Sequence, residues 1–183
     1  MFQEGTYTGG FVFSISSPID ISSLGFYDEG GDGLAVSHDV GLWDTTGTLL
    51  ASATVDAGAT DPLIGKFRYK SIPTLTLAAG DYVLGGLITA DDPERVYTPG
   101  VSTGLTTASE VTLDPLASRF TYAPTLTFPT STTGLYTLYA GPNFLIGAAA
   151  PPGAVPEPGA LALLIGSGLS GGLLLRRRRA RKR

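Results

Sequence analysis

Turn signals recur roughly every ten residues over positions 1–147, and that spacing constrains the fold more than any other feature. It leaves room for short strands but not for amphipathic helices, whose period-3.6 pattern is nowhere convincing. "GGFVFSIS" leads into "DISSLGFYDEGGDG", where a β run halts at an acidic, glycine-rich turn. "AVSHDVGLWDTTGTLLASATV" predicts two strands joined through "DTTG" as a hairpin. "KFRYKSI" alternates, with Phe67 and Tyr69 on one face and Arg68 and Lys70 on the other. "TLTLAAGDYVLGGLIT" predicts a further strand pair about Ala78–Asp81, and "RFTYAPTLTF" and "LYTLYAGPNFLI" close the domain. Ala90–Ser109, with two prolines and little apolar content, reads as a long surface loop. Evenly spaced short strands point to an all-β domain, an antiparallel β-sandwich of jelly-roll or immunoglobulin-like kind.

Composition agrees with this reading. Gly and Pro supply 25 and 13 of the 183 residues, enough for many turns and below the level of low-complexity chains. The absence of cysteine removes disulfides, thiolate-bound zinc and thiol catalysis. The net charge of −4 conceals an asymmetry. Seven of the twelve basic residues fall in positions 176–183, whereas residues 1–154 hold Lys66, Arg68, Lys70, Arg95 and Arg119 against fifteen carboxylates. So acidic a body is a poor partner for nucleic acid, whose affinity comes from neutralised phosphates.

The C-terminus breaks the pattern. Residues 148–158, "AAAPPGAVPEP", form an Ala/Pro linker expected to stay extended. Gly159–Leu175 is 17 residues without a charge, with seven leucines and one isoleucine. As a helix it spans about 25 Å, near the lower limit for a ~30 Å hydrocarbon core. Its five glycines weaken a helix in water but are common in membranes. Arg176, Arg177, Arg178, Arg179, Arg181, Lys182 and Arg183 follow at once. Alone they would suit a nucleic-acid-binding tail; after an apolar span they suit a cytoplasmic stop-transfer segment, by the positive-inside rule. The acidic body then lies on the opposite side of the membrane.

Val155-Pro156-Glu157-Pro158, the Gly/Leu span and the terminal cations, in that order, closely resemble the PEP-CTERM sorting signal over about the last 29 residues. The resemblance implies bacterial export, transient anchoring in the inner membrane, and recognition by an exosortase, a membrane-embedded cysteine transpeptidase-like enzyme. Cleavage near the motif would release the body to the cell surface or an extracellular polysaccharide matrix. Such tails also carry the family name ice-binding protein C-terminal domain, which describes the tail and no affinity for ice. The prolines flanking Glu157 hold the backbone extended, as a processed motif requires. "MFQEGTYTGGFVFSISS" lacks a basic n-region and an adequate apolar h-region, so the export reading expects coding sequence upstream of Met1.

Within the body, "GFY", "GLWD" and "GTLLASATV" resemble a domain of unknown function found in exported, often PEP-CTERM-tailed, bacterial proteins. That likeness covers roughly residues 10–90 and implies a β-sandwich without an activity. Asp28, Glu29 and Asp32 in the glycine-rich turn are candidate calcium ligands, since extracellular modules hold calcium through such oxygens. They lack a downstream Glu in EF-hand register, and Asp and Gly equally serve to make and solvate a turn. No other cofactor is expected.

The single histidine, His38, has Ser37 and Asp39 beside it, but neighbours on a strand point to opposite faces and form no triad. Gly168–Gly172 matches G-x-S-x-G inside the apolar span, where no nucleophile elbow can form. The same stretch holds a GxxxG spacing, a hint of helix pairing that ordinary membrane glycine content explains as well. Trp43 is read as a core residue. Thr74 with Thr76, and Thr125 with Thr127, are too few to make the flat array of an ice-binding face.

The sequence thus divides into a β-sandwich domain (1–147), a linker with the sorting motif (148–158), a transmembrane helix (159–175) and a basic cytoplasmic tail (176–183). The function expected is that of an exported, non-enzymatic surface or matrix protein whose body binds polysaccharide. The alternatives are a secreted glycan hydrolase using paired carboxylates, and a permanently anchored membrane protein.

Overall fold

The computed structural model describes residues 5–90, 97–99, 107–132 and 137–147. Side chains at 97–99, 114–117, 137 and 138 lie outside that description. All described residues belong to the compact unit Met1–Ala150. They form strands and no helix, so no described helix is long and apolar enough to cross a membrane. The expected sorting motif Val155–Pro158, membrane span 159–175 and stop-transfer cations Arg176–Arg183 lie outside the described residues.

The strands are β1 (Tyr7–Ile15), β2 (Ile19–Tyr27), β3 (His38–Asp44), β4 (Leu49–Val55), β5 (Leu63–Ile64) and β6 (Phe67–Leu77). They continue as β7 (Gly80–Ile88), β8 (Tyr97–Pro99), β9 (Val111–Tyr122), β10 (Ser131–Thr132), β11 (Thr137–Tyr139) and β12 (Pro142–Ile146). A six-stranded sheet runs β10-β9-β1-β7-β3-β4, a four-stranded sheet runs β12-β2-β6-β5, and β11 pairs with β8. Every pairing is antiparallel.

One wrapped ribbon joins the two larger sheets. β1 pairs with β7 from Tyr7↔Ile88 to Ile15↔Gly80, and β2 pairs with β6 from Ile19↔Leu77 to Tyr27↔Phe67. The links Ser16–Pro18 and Ala78–Ala79 therefore pass side by side from one sheet to the other. This corrects the expected strand pair about Ala78–Asp81: β6 and β7 are consecutive but lie in different sheets. Gly80, at φ 154°, carries the backbone through the corner. Ala90–Ser109 is likewise no plain loop, since it contains β8.

Both sheets share one apolar core. Phe11, Phe13 and Ile15 of β1 face Ile21, Leu24 and Phe26 of β2, with Val40, Leu42, Ile72 and Leu84 among them. The Phe13 ring centre lies 5.0 Å from that of Phe144, and Phe26 stacks on His38 at 3.6 Å. Gly86 makes room for Phe26, because a Cβ there would sit 2.7 Å from its ring. This is a sandwich-like all-β body, as the strand spacing predicts.

Candidate functional site

The acidic turn closes one end of this core. Gly30, Gly31 and Gly33 all adopt positive φ, which lets "DEGGDG" fold back on itself. The turn leaves Asp28 only 1% exposed, while Glu29 and Asp32 stay on the surface. The Asp28 carboxylate accepts a hydrogen bond from the Arg68 Nε at 2.6 Å and from the Gly33 amide at 3.1 Å. The rest of the Arg68 guanidinium donates to the carbonyls of Asp61 (3.0 Å) and Gly31 (3.2 Å). Beside it, Lys70 donates to Asp56 and, at 3.2 Å, to Asp61, whose other carboxylate oxygen takes the Asp56 amide at 2.7 Å. Asp56 and then Asp61 raise the Lys70 pKa above its ordinary value.

The arrangement separates the three residues expected to hold calcium. Asp28, Glu29 and Asp32 do not converge, because the carboxylate of Asp28 faces inward to a guanidinium instead of outward to solvent. Among the described residues no three of His, Asp and Glu are grouped to hold a metal ion. The residues that sequence reasoning missed are Arg68, Lys70, Asp56 and Asp61. Their signal was present in "KFRYK", which holds three of the body's five cations, Lys66, Arg68 and Lys70, in alternate positions. Register decides the rest: Arg68 pairs with Phe26 and Lys70 with Leu24, both inward-facing. The charged members of that alternation therefore point into the sandwich end.

The other members cover the outer faces. Tyr69 lies over Gly25, where a Cβ would come within 2.4 Å of the ring, and reaches Asn143 with its hydroxyl. Burial pushes its phenol up to about 12. On the six-stranded sheet, Gly10, Gly85 and Gly41 stand directly opposite one another on β1, β7 and β3. The indole of Trp43 lies across Gly41 and against Gly85, with Pro129 of the 123–130 segment also over Gly85. Phe128 meets the indole edge at 6.0 Å. Trp43 is thus buried, as expected of a core residue, and it is packed against Gly41 and Gly85 of the six-stranded sheet.

His38 is fully buried, sandwiched by Phe26, with Nδ1–H donating to the Leu87 carbonyl at 3.1 Å. Asp39 points the other way and accepts from Thr54 at 2.6 Å, so the two are on opposite faces as expected. Thr76 donates to Asp20 on the four-stranded sheet. Thr127 hangs by its amide from Thr8 Oγ1 on the six-stranded one, so the threonine pairs share no row.

An aromatic cluster lies at the end of β1 and β9. Tyr7 is packed edge-on against Tyr122 (5.9 Å) and Tyr139 (5.7 Å), and Phe120 against Tyr122 (5.6 Å). Tyr122 remains 50% exposed. Gly9 admits the cluster, since a Cβ there would meet the Tyr7, Ile88 and Tyr139 side chains at 3.0–3.2 Å. Burial and then the neighbouring Tyr122 raise the Tyr139 pKa. Arg119 of β9 is directed to the opposite face, opposite Gly10, and donates to the Thr130 carbonyl at 3.5 Å. Aromatic faces beside phenol hydroxyls offer apolar stacking and hydrogen bonds without charge.

No family model, curated protein or solved structure matches the chain.

Proposed function

We propose that this is an exported bacterial surface or extracellular-matrix protein, non-enzymatic, sorted through its C-terminal PEP-CTERM-like signal by an exosortase. One observation carries the reading: Val155–Pro158, a 17-residue uncharged span and seven cations stand in that order at the chain's end. In this reading the tail anchors the protein transiently in the inner membrane, arginines inside, before cleavage frees the body. Mass spectrometry of the protein from its native cell tests it. A mature product ending near Pro158 is expected; one still carrying Arg176–Arg183 means permanent anchoring and sinks the sorting reading.

The body, in the same proposal, is a jelly-roll sandwich that binds neutral polysaccharide through Tyr122 and its neighbours. The wrapped β1–β2/β6–β7 ribbon favours the jelly-roll arrangement over the immunoglobulin-like one. An acidic body suits neutral sugars better than polyanions. Retention on immobilised neutral glucans, lost in Tyr122→Ala with the fold intact, is the expected result; retention unaffected by that change removes the cluster from the proposal.

A further inference from the structure

The peptide bond before a proline is a tertiary amide, and an aspartate in front of it can reach its own carbonyl carbon through a five-membered ring. An Asp–Pro pair is therefore a weak link in a chain. This sequence holds three, Asp61–Pro62, Asp92–Pro93 and Asp114–Pro115. The second lies outside the described residues and the third within β9. Asp61–Pro62 sits in the β4–β5 connection, inside the charged cluster at the sandwich end.

We propose that Asp61–Pro62 is a self-cleaving bond, with Asp61 as nucleophile and Arg68 as the group that stabilises the attacked carbonyl. The buried Arg68 guanidinium donates to the Asp61 carbonyl oxygen at 3.0 Å. Negative charge grows on that oxygen as the carbon is attacked, so a buried cation already aimed at it lowers the barrier. Asp28, at 2.6 Å from Nε, and the Gly31 carbonyl, at 3.2 Å, hold the guanidinium in that position. The Asp61 carboxylate is itself buried and fixed, with the Asp56 amide on Oδ2 at 2.7 Å and Lys70 on Oδ1 at 3.2 Å. Each oxygen keeps a further lone pair for attack. On the other side of the bond the Pro62 carbonyl accepts the Tyr69 amide at 3.1 Å, so the main chain is held at both ends. In the step, a carboxylate oxygen of Asp61 bonds to its own carbonyl carbon and the C–N bond to Pro62 breaks. The Pro62 nitrogen takes a proton from solvent, and water opens the cyclic anhydride left on Asp61. This happens once per molecule, without turnover. Pairing of β6 with β2, and of β7 with β1 and β3, keeps pieces 1–61 and 62–183 together as a two-chain body.

The other Asp–Pro pairs are internal controls. Full-length protein in detergent is held at about pH 4, where an ordinary aspartate is half ionised, and its fragments are read by intact-mass spectrometry. Scission at Asp61–Pro62 should exceed that at Asp114–Pro115 by about tenfold in the folded protein, and the ratio should fall to about one in urea. Asp61→Glu keeps a carboxylate but needs a six-membered ring, and should lose the excess. The double variant Arg68→Met, Asp28→Leu removes the cation and leaves an apolar pair in its place; its ratio should match the one in urea. Equal scission at the two bonds in folded protein overturns the proposal, as does an undiminished ratio in the double variant. A folded chain that stays whole at Asp61 while the urea-unfolded one is cut shows that the fold protects this bond, and overturns it too.

Discussion

Two turns in this protein each open with an aspartate and close with a glycine, and they do opposite things. "DEGGDG" at 28–33 and "DTTG" at 44–47 each begin with an aspartate that accepts backbone amides from its own turn. Asp44 is a surface device: its Oδ1 takes the Thr46 hydroxyl at 2.7 Å and the amides of Thr46 and Thr48 at 2.9 Å. Asp28 is buried, and its partner is a guanidinium forty residues further along the chain. The Asp44 carboxylate organises Thr46 and Thr48; Asp28 ties the β2–β3 connection to Arg68 of β6, which in turn holds the β4–β5 connection through the Asp61 carbonyl. Short-range sequence can write the first kind of turn, while the second needs a strand delivered by the fold.

The sharpest way to break the comparison is Arg68→Met. It leaves the Asp28 carboxylate buried without its counter-charge and should cost about 3–5 kcal/mol in urea unfolding. Adding Asp28→Leu should recover part of that loss, because an apolar pair replaces an orphaned charge. An equal loss in the single and double variants would show that packing and not charge holds this end together.

Next in size is the response to alkali. The Tyr69 phenol, raised to about 12 by burial, and Lys70, raised above 10.5 by Asp56 and Asp61, both have folded-state pKa values above their unfolded ones. Their stabilisation is complete below pH 10 and is lost as pH climbs through the raised values. The urea midpoint should therefore fall above pH 10, and fall less steeply in Tyr69→Phe. Lys70 alone is more than a third exposed, so Lys70→Met at neutral pH should cost at most about 1 kcal/mol.

The smallest effect belongs to Asp44, whose pKa is lowered to about 2, first by the Thr46 hydroxyl and then by the Thr48 amide. Its contribution is present above pH 3.8 and disappears as pH falls towards 2. Asp44→Asn should flatten only the acid limb of the melting-temperature profile, leaving the alkaline limb unchanged. The acid response then belongs to the Asp44 turn and the alkaline one to Tyr69 and Lys70 of β6.

These differences track what the sequence makes legible. The β3–β4 hairpin follows from Asp44-Thr-Thr-Gly47, because every bond that shapes it lies within five residues, and Gly47 takes the positive φ. The end of β2 was legible in the acidic, glycine-rich composition of 28–33, but the bond from Arg68 to Asp28 was not. The alternation in "KFRYKSI" was also legible, but alternation defines two faces without saying which is inside. Pairing with Phe26 and Leu24 turned Arg68 and Lys70 inward. Trp43 shows the same limit: a large aromatic on a strand reads as buried, and it is, but the row Gly10–Gly85–Gly41 set the face on which it is buried.

By itself, the sequence determined the class of fold and the character of the tail. Both are written in composition and in contiguous order: turn residues at short intervals, then motif, apolar span and cations. Only the tertiary structure decided which aspartate is buried and which way Arg68 and Lys70 face. Those outcomes depend on register between segments forty to eighty residues apart, such as Asp28 with Arg68 and Tyr7 with Ile88, and register is settled by the whole set of pairings together.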